Sequence, residues 1–201
     1  VPGALIVIEG IDGGGKTTLA RGLGDALRAA GYDVRATREP TDGPEGRRLR
    51  EAARHGARFS PREELDLFFA DRRRHVAEVV RPALEAGAIV VQDRSFFSTA
   101  AYQGLRGFDR EAIVRDSRAF APEPDVLLVV DLPVGVALAR AEARGARDAF
   151  EDPESLEDIR RFFRSLPHAV RLDGTAPPPR VLRAALEAVA ARGIAVGPGG
   201  E

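Results

Sequence analysis

Cysteine, methionine, tryptophan and asparagine are all absent from this chain of 201 residues. Without cysteine there is no disulfide framework, no thiolate zinc site and no cysteine nucleophile. No apolar run approaches the roughly 20 residues that span a bilayer, and no signal-peptide pattern is present. The expectation is a cytoplasmic protein without a membrane partner. An excess of either charge is also lacking: 30 Lys+Arg stand against 31 Asp+Glu, for a net charge of −1. A nucleic-acid binder carries lopsided basic charge, so nucleic acid is not an expected partner. What is there is an ordinary globular composition, 44% hydrophobic and long enough to bury a core without staples. One domain over residues 1–201 is expected.

Lysine is nearly absent too. Of the 30 basic side chains, Lys16 is the sole lysine and the other 29 are arginine. A base-composition bias in the source genome accounts for the arginine, and heat adaptation is a second reading. Neither explains why one lysine stays. A compact ammonium on a thin stem does at position 16 what a planar guanidinium cannot.

Short apolar runs alternate with amphipathic stretches along the chain. Strands are predicted at 4–9, 33–38, 88–93, 125–131 and 168–173. Helices are predicted at 16–30, 45–54, 61–86, 110–120, 134–144, 154–166 and 178–192. Ser60-Pro61 supplies a cap and a first-turn proline, Gly31 and Gly87 are stops, and Pro82 should bend or end its helix. Residues 144–153 read as a charged, glycine-containing lid, and 193–201 as a flexible tail. Strands that are nearly all apolar, separated by helices, indicate a parallel sheet covered on both faces. The fold class is therefore α/β: a three-layer, doubly wound domain around a five-stranded parallel sheet. Ligands in such folds bind beyond the carboxyl ends of the strands. Those ends carry Glu9-Gly10, Arg38-Glu39, Asp93-Arg94 and Asp131.

After the first strand comes Gly10-Ile11-Asp12-Gly13-Gly14-Gly15-Lys16-Thr17, continuing into Thr18. This fits G-x-x-x-x-G-K-[ST], with a strand before and a helix after, the context of a P-loop NTP hydrolase or kinase. Glycines let backbone N–H groups wrap a phosphate, and the helix start adds its positive dipole end. Lys16 reaches the β- and γ-phosphates and the Thr17 hydroxyl is a Mg²⁺ ligand. The plain alternative is a glycine-rich strand–helix turn. A guanine-binding switch needs Asn-Lys-x-Asp, which a chain without asparagine cannot hold. A small phosphoryl transferase using ATP is the favoured class.

The helix 61–86 presents Leu65, Phe68, Phe69, Val76, Val79, Val80 and Leu84 at helical spacing, with Arg72 on the same face. A guanidinium on an apolar seam either forms an ion pair, snorkels to water, or lies beside an aromatic that stacks a base. Asp93 at a strand end can hold Mg²⁺ through water, and Arg94 can bridge donor and acceptor phosphates. A surface ion pair is the structural alternative. Ser98, Thr99, Tyr102 and Gln103 could line a nucleoside pocket or simply be loop polarity.

Taken together, Val7–Thr18 (VIEGIDGGGKTT), Arg38-Glu39-Pro40, Leu67–Arg72 (LFFADR), Arg81–Gly87 (RPALEAG), Asp93-Arg94 with Ser98–Gly104, and Leu128–Pro133 (LVVDLP) resemble the thymidylate kinase family, in order, over about residues 4–145. The resemblance implies transfer of the ATP γ-phosphoryl group to dTMP, with Mg²⁺ and commonly in a homodimer. It implies that Asp12 accepts a hydrogen bond from the sugar 3′-hydroxyl, and that Arg38 and Arg94 hold the dTMP phosphate. Phe68 would stack on thymine and Arg72 would bond its carbonyl edge. Ser98, Thr99 and Gln103 would lie near base and sugar, and Tyr102 would crowd the 2′ position. Arg140 would lie against adenine, opposite the Thr175-Ala176-Pro177 turn.

Three positions depart from the family pattern. Ser95 follows Asp93-Arg94 where an aromatic residue or histidine is usual. The phosphate loop has no basic residue inside it, so a catalytic arginine must come from the lid, where the usual Asp-Arg order appears as Arg147-Asp148. Arg147, or next Arg144, would supply it, and a solvated loop is the alternative. After Phe162-Phe163 comes Leu166-Pro167 in place of a tyrosine-containing turn. Two other readings stay open: a kinase for another nucleoside monophosphate, and a nucleotide binder without turnover.

Overall fold

The computed structural model describes residues 3–55, 59–143 and 152–194. Strand β1 (Ala4–Glu9) is the central strand, and the sheet order is β2 (Val34–Arg38), β3 (Ile89–Asp93), β1, β4 (Val126–Asp131), β5 (Val170–Asp173). Every pairing is parallel. The strand registers explain the continuous apolar runs. Leu5, Val7, Val90, Leu127 and Val129 enter one core, whereas Ile6, Ile8, Val91, Leu128 and Val130 enter another on the opposite face. Period-two alternation is hidden because both faces are buried. The outer strands β2 and β5 expose Arg35, Arg38, Arg171 and Asp173, charges that discourage edge pairing.

Helices α1 (Lys16–Ala29) and α9 (Pro178–Ala190) cover one face. On the other lie α3 (Pro61–His75), α5 (Phe96–Gly104) and α8 (Pro153–Ser165), with α2 (Pro44–His55), α6 (Arg110–Arg118) and α7 (Val134–Glu142) completing the chain. Ser60 and Glu63 form a capping box with Pro61 in the first turn. The predicted helix 61–86 is not uniform: α3 passes into a π-helical turn at Val76–Val80 and then into α4 (Arg81–Glu85). The Arg81 N–H bonds the Val76 carbonyl five residues back, one residue before Pro82. Pro82 has no N–H for the carbonyl four residues back and its ring crowds it, so the ladder slips by a residue.

Two readings change. Residues 96–104 form a helix that the periodicity did not announce, because Phe96–Ala101 and Gln103 are all buried and no solvent-exposed face sets a pattern. Ile194, within the expected flexible tail, packs into the core beside α1 and α9. Of the expected lid, Asp152 and Pro153 are the cap and first residue of α8. Residues 144–151, with Arg144 and Arg147, lie outside the described residues. Among the described residues no helix is long and apolar enough to cross a membrane.

Candidate active site

The phosphate loop joins β1 to α1. Gly10 has φ 141° and Gly13 φ 84°, and a Cβ on either would stand 2.5 Å from a carbonyl oxygen, of Val130 or Ala137. No other residue fits this turn. Helix α1 starts without a side-chain cap and without an acidic residue in its first turn. Its orphan N–H groups and positive dipole end therefore remain available to an anion.

Lys16 is buried, its Nζ donating to the Ile11 carbonyl at 2.8 Å and lying 3.5 Å from Asp12. Burial and then the Arg94 charge push its ammonium down to about 8, against Asp12, Asp93 and Glu9. An arriving triphosphate would restore its ordinary basicity. At pH 9, ATP binding is therefore expected to take up protons, fading toward pH 7. Calorimetry in buffers of different ionisation enthalpy measures this, and equal heats in all buffers at pH 9 would contradict it. The same depression also sets the sign for stability. Between pH 8 and 10.5 the unfolded chain binds more protons at Lys16, so this contribution to stability of the unliganded protein rises with pH.

The Thr17 hydroxyl donates to Asp93 Oδ2 at 2.6 Å, while Asp93 Oδ1 is buried without a partner among the described residues. An orphaned carboxylate oxygen beside a hydroxyl and a triphosphate cradle suits a Mg²⁺ that keeps several waters. The donor set thus fits that ion. Thr18 is exposed in the same first turn. On the far side, Arg140 donates to the Gly174 carbonyl at 2.8 Å, beside the Thr175-Ala176-Pro177 turn.

Across the sheet edge lies a cavity of about 380 Å³. Asp12, Phe68, Arg72, Arg94, Ser98, Thr99, Tyr102 and Gln103 all line it, so the structure brings together most of the predicted acceptor residues. Arg38 is not among its lining residues. It is exposed and paired with Asp42 at 2.9 Å. Arg50, which nothing in the sequence singled out, lines the wall instead and bonds the Pro40 carbonyl at 2.7 Å. The Glu39–Pro40 peptide there is cis.

Arg94 joins the two halves. Its guanidinium bonds Asp12 and donates to Ser98 Oγ at 3.2 Å, and Tyr102 donates to the other Asp12 oxygen at 3.1 Å. Burial would raise the Asp12 carboxyl, but Arg94 and Lys16 outweigh it and hold it well below the carboxylate range. Asp12 is therefore an ionised acceptor at neutral pH.

Arg72 is 2% exposed and carries two roles at once. It pairs with Glu39 at 2.8 Å and donates to Thr99 at 2.7 Å while lining the cavity. His75 contacts the other Glu39 oxygen at 3.0 Å, and Thr37 lies 2.7 Å from the far ring nitrogen. Burial would push Glu39 up, yet Arg72 and His75 hold it below its ordinary value. The ion-pair alternative for Arg72 is realised without removing it from the pocket.

The sequence placed Glu39 and Glu9 on the ligand-binding rim but gave neither a role in the site. Both are strand-end carboxylates, and their partners lie 33 and 86 residues away. Ser95, the departure after Arg94, donates its N–H and hydroxyl to Glu9 and caps α5. Burial pushes the Glu9 carboxyl up, and its hydrogen bonds and Arg94 pull it only partly back.

A family model described as thymidylate kinase matches residues 8–181. The chain is 46% identical over 188 residues to the thymidylate kinase of Xylella fastidiosa (strain 9a5c), covering 92% of this chain and 89% of that one. It is 47% identical over 192 residues to that of Xanthomonas campestris pv. campestris (strain B100), covering 94% and 84%. With that of Xanthomonas euvesicatoria pv. vesicatoria (strain 85-10) it shares 48% over 186 residues, covering 91% and 81%.

Proposed function

The chain belongs to the thymidylate kinase family, and from that premise we propose that it transfers the γ-phosphoryl group of ATP to dTMP, releasing dTDP and ADP. One observation carries the reading: Asp12, inside the phosphate loop, and Arg94, bonded to it from the end of β3, both line the acceptor cavity. The two nucleotides would therefore meet across a single ion pair.

In the transfer, an oxygen of the dTMP phosphate forms a bond to the γ-phosphorus. The bond from that phosphorus to the β,γ-bridging oxygen breaks, and its electron pair leaves with ADP. The attacking oxygen is already ionised, so no general base is required. What the protein supplies is position and positive charge. Lys16 and the loop N–H groups hold the donor phosphates. Arg94 holds the acceptor phosphate, joined by Arg38 if it releases Asp42. Phe68 stacks on the base, and Arg72, fixed by Glu39, presents a guanidinium N–H to its carbonyl edge. Ser98, Thr99 and Gln103 line base and sugar, and Asp12 with Tyr102 meets the 3′- and 2′-positions. Arg140 flanks the adenine. Thr17 and Asp93 would hold Mg²⁺, which neutralises charge on the donor phosphates when bound. A homodimer belongs to the same proposal, on the family resemblance alone.

A panel of nucleoside monophosphates with Mg-ATP, coupled to ADP release, tests the substrate. dTMP is expected to lead. Another monophosphate preferred more than tenfold would overturn the thymine assignment, and ATP binding without ADP release would indicate a binder without turnover.

Beyond Lys16, the phosphate loop offers the γ-phosphoryl group no cation, since Asp12-Gly13-Gly14 carries no basic side chain. The proposal therefore includes a lid arginine, Arg147 or else Arg144. Alanine at one of them is expected to lower kcat by more than about tenfold while leaving dTMP affinity intact. Unchanged turnover in both variants would contradict this.

A further inference from the structure

Glu9 is the last residue of β1 and is 0% exposed, so no substrate touches it. Burying a carboxylate is expensive unless it is fully hydrogen-bonded. Glu9 meets that requirement by drawing on both ends of one turn. Its Oε1 accepts from the Ser95 N–H at 2.7 Å, the Ser95 hydroxyl at 2.8 Å and the Ser98 N–H at 3.2 Å. Its Oε2 accepts from the Ser98 hydroxyl at 2.5 Å.

The Ser98 oxygen in turn accepts from Arg94, whose other arm bonds Asp12. The chain Glu9–Ser98–Arg94–Asp12 therefore leaves the sheet just before the phosphate loop and returns inside that loop. Arg94 itself has φ 69°, a conformation a side chain rarely adopts unless its surroundings impose it. Its N–H is fixed by the Ile8 carbonyl at 3.0 Å and its carbonyl by Gln92 at 2.9 Å. Those bonds fix the Arg94 backbone, and Ser98 together with Asp12 fixes the guanidinium.

We propose that Glu9 is a positioning residue: it holds the first turn of α5 against the end of β1 and, through Ser98, orients Arg94 toward the acceptor phosphate. This rests on the dTMP kinase reading above. Ser95 makes the clamp double. A side chain without a hydroxyl at this position leaves Glu9 with one hydroxyl donor in place of two.

A merely structural role would weaken both nucleotides or neither. A positioning role is selective, because the donor phosphates lie on the loop amides and Lys16. Calorimetric titrations of dTMP and of Mg-ATP into wild type, Glu9→Gln, Ser98→Ala and the double variant test this. Glu9→Gln is expected to weaken dTMP about tenfold, the scale of a lost hydrogen bond to a charged group, with ATP affinity changed by less than about threefold. In the Ser98→Ala background the link is already cut, so Glu9→Gln should cost dTMP less than about threefold more. An unaffected dTMP affinity, equal losses for both nucleotides, or fully multiplicative losses in the double variant would overturn the proposal. Should Glu9→Gln not fold, Ser95→Ala takes its place: it removes one donor from Glu9 and leaves Ser98 and Arg94 intact. It is expected to weaken dTMP by about three- to tenfold at unchanged ATP affinity, and no change would overturn the role. A wild type that binds no dTMP refutes the functional reading itself, whereas normal wild-type binding beside an unaffected Glu9→Gln refutes only the positioning role.

Discussion

Lys16→Ala is expected to lower turnover by about 10³-fold or more, the scale of removing a preorganised cation or donor from a transferring group. The ammonium sits inside the loop, on the Ile11 carbonyl at 2.8 Å and 3.5 Å from Asp12. It is buried and so acts where water screens little. Removing it leaves Asp12 with Arg94 and Tyr102 as its remaining partners and takes from the donor phosphates the one cation that the loop itself supplies. Lys16→Arg should not rescue activity, because a planar fork does not fit a space filled by a single nitrogen. Steady-state ADP release in both variants measures this. Turnover within tenfold of wild type in Lys16→Ala would contradict the role.

The second large effect is expected at Arg94. Arg94→Ala should reduce kcat/KM for dTMP by about 10³-fold, since the same guanidinium serves acceptor binding and transition-state charge. Alanine inherits the φ of 69° that arginine already bears, so the substitution adds no new backbone strain. Arg94→Lys keeps the charge and loses the fork that reaches Asp12 and Ser98 together. It should fall between, about 10- to 100-fold below wild type. The KM for ATP is expected to move by less than about threefold in both. A parallel loss for ATP would mean that Arg94 supports the phosphate loop rather than the acceptor.

Much of this molecule is legible in its sequence because the determinants are local. The phosphate loop needs glycine where a Cβ would strike Val130 or Ala137, and a lysine at a fixed distance along the helix start. The five strands are readable because both sheet faces are buried, which gives unbroken apolar runs. Pro82 marks its own disturbance. Helix α5 was not legible as a helix: buried almost all round, it turns its polar residues Ser98, Thr99, Tyr102 and Gln103 to the cavity and not to solvent. Ser95 as its cap and Gly104 at its end were the available signals.

The site was legible where a motif carries its own chemistry and hidden where chemistry depends on folding. Arg72 could be read as an ion pair or as a base contact, and no spacing rule chooses between them. Glu39 arrives from 33 residues away and makes the ion pair, yet leaves Arg72 in the cavity wall. Glu9 looked like an ordinary strand-end charge until Ser95 and Ser98 were brought onto it. Arg50 gave no sign of its place in the pocket, being one of several arginines on a charged helix.

The most direct measurement follows the transferred atom. Incubation of the protein with Mg²⁺, dTMP and ATP labelled at the γ-phosphorus is expected to place the label in the β-phosphate of dTDP, with unlabelled ADP formed in equal amount. Label recovered only in inorganic phosphate, or retained wholly in ATP, would contradict the account.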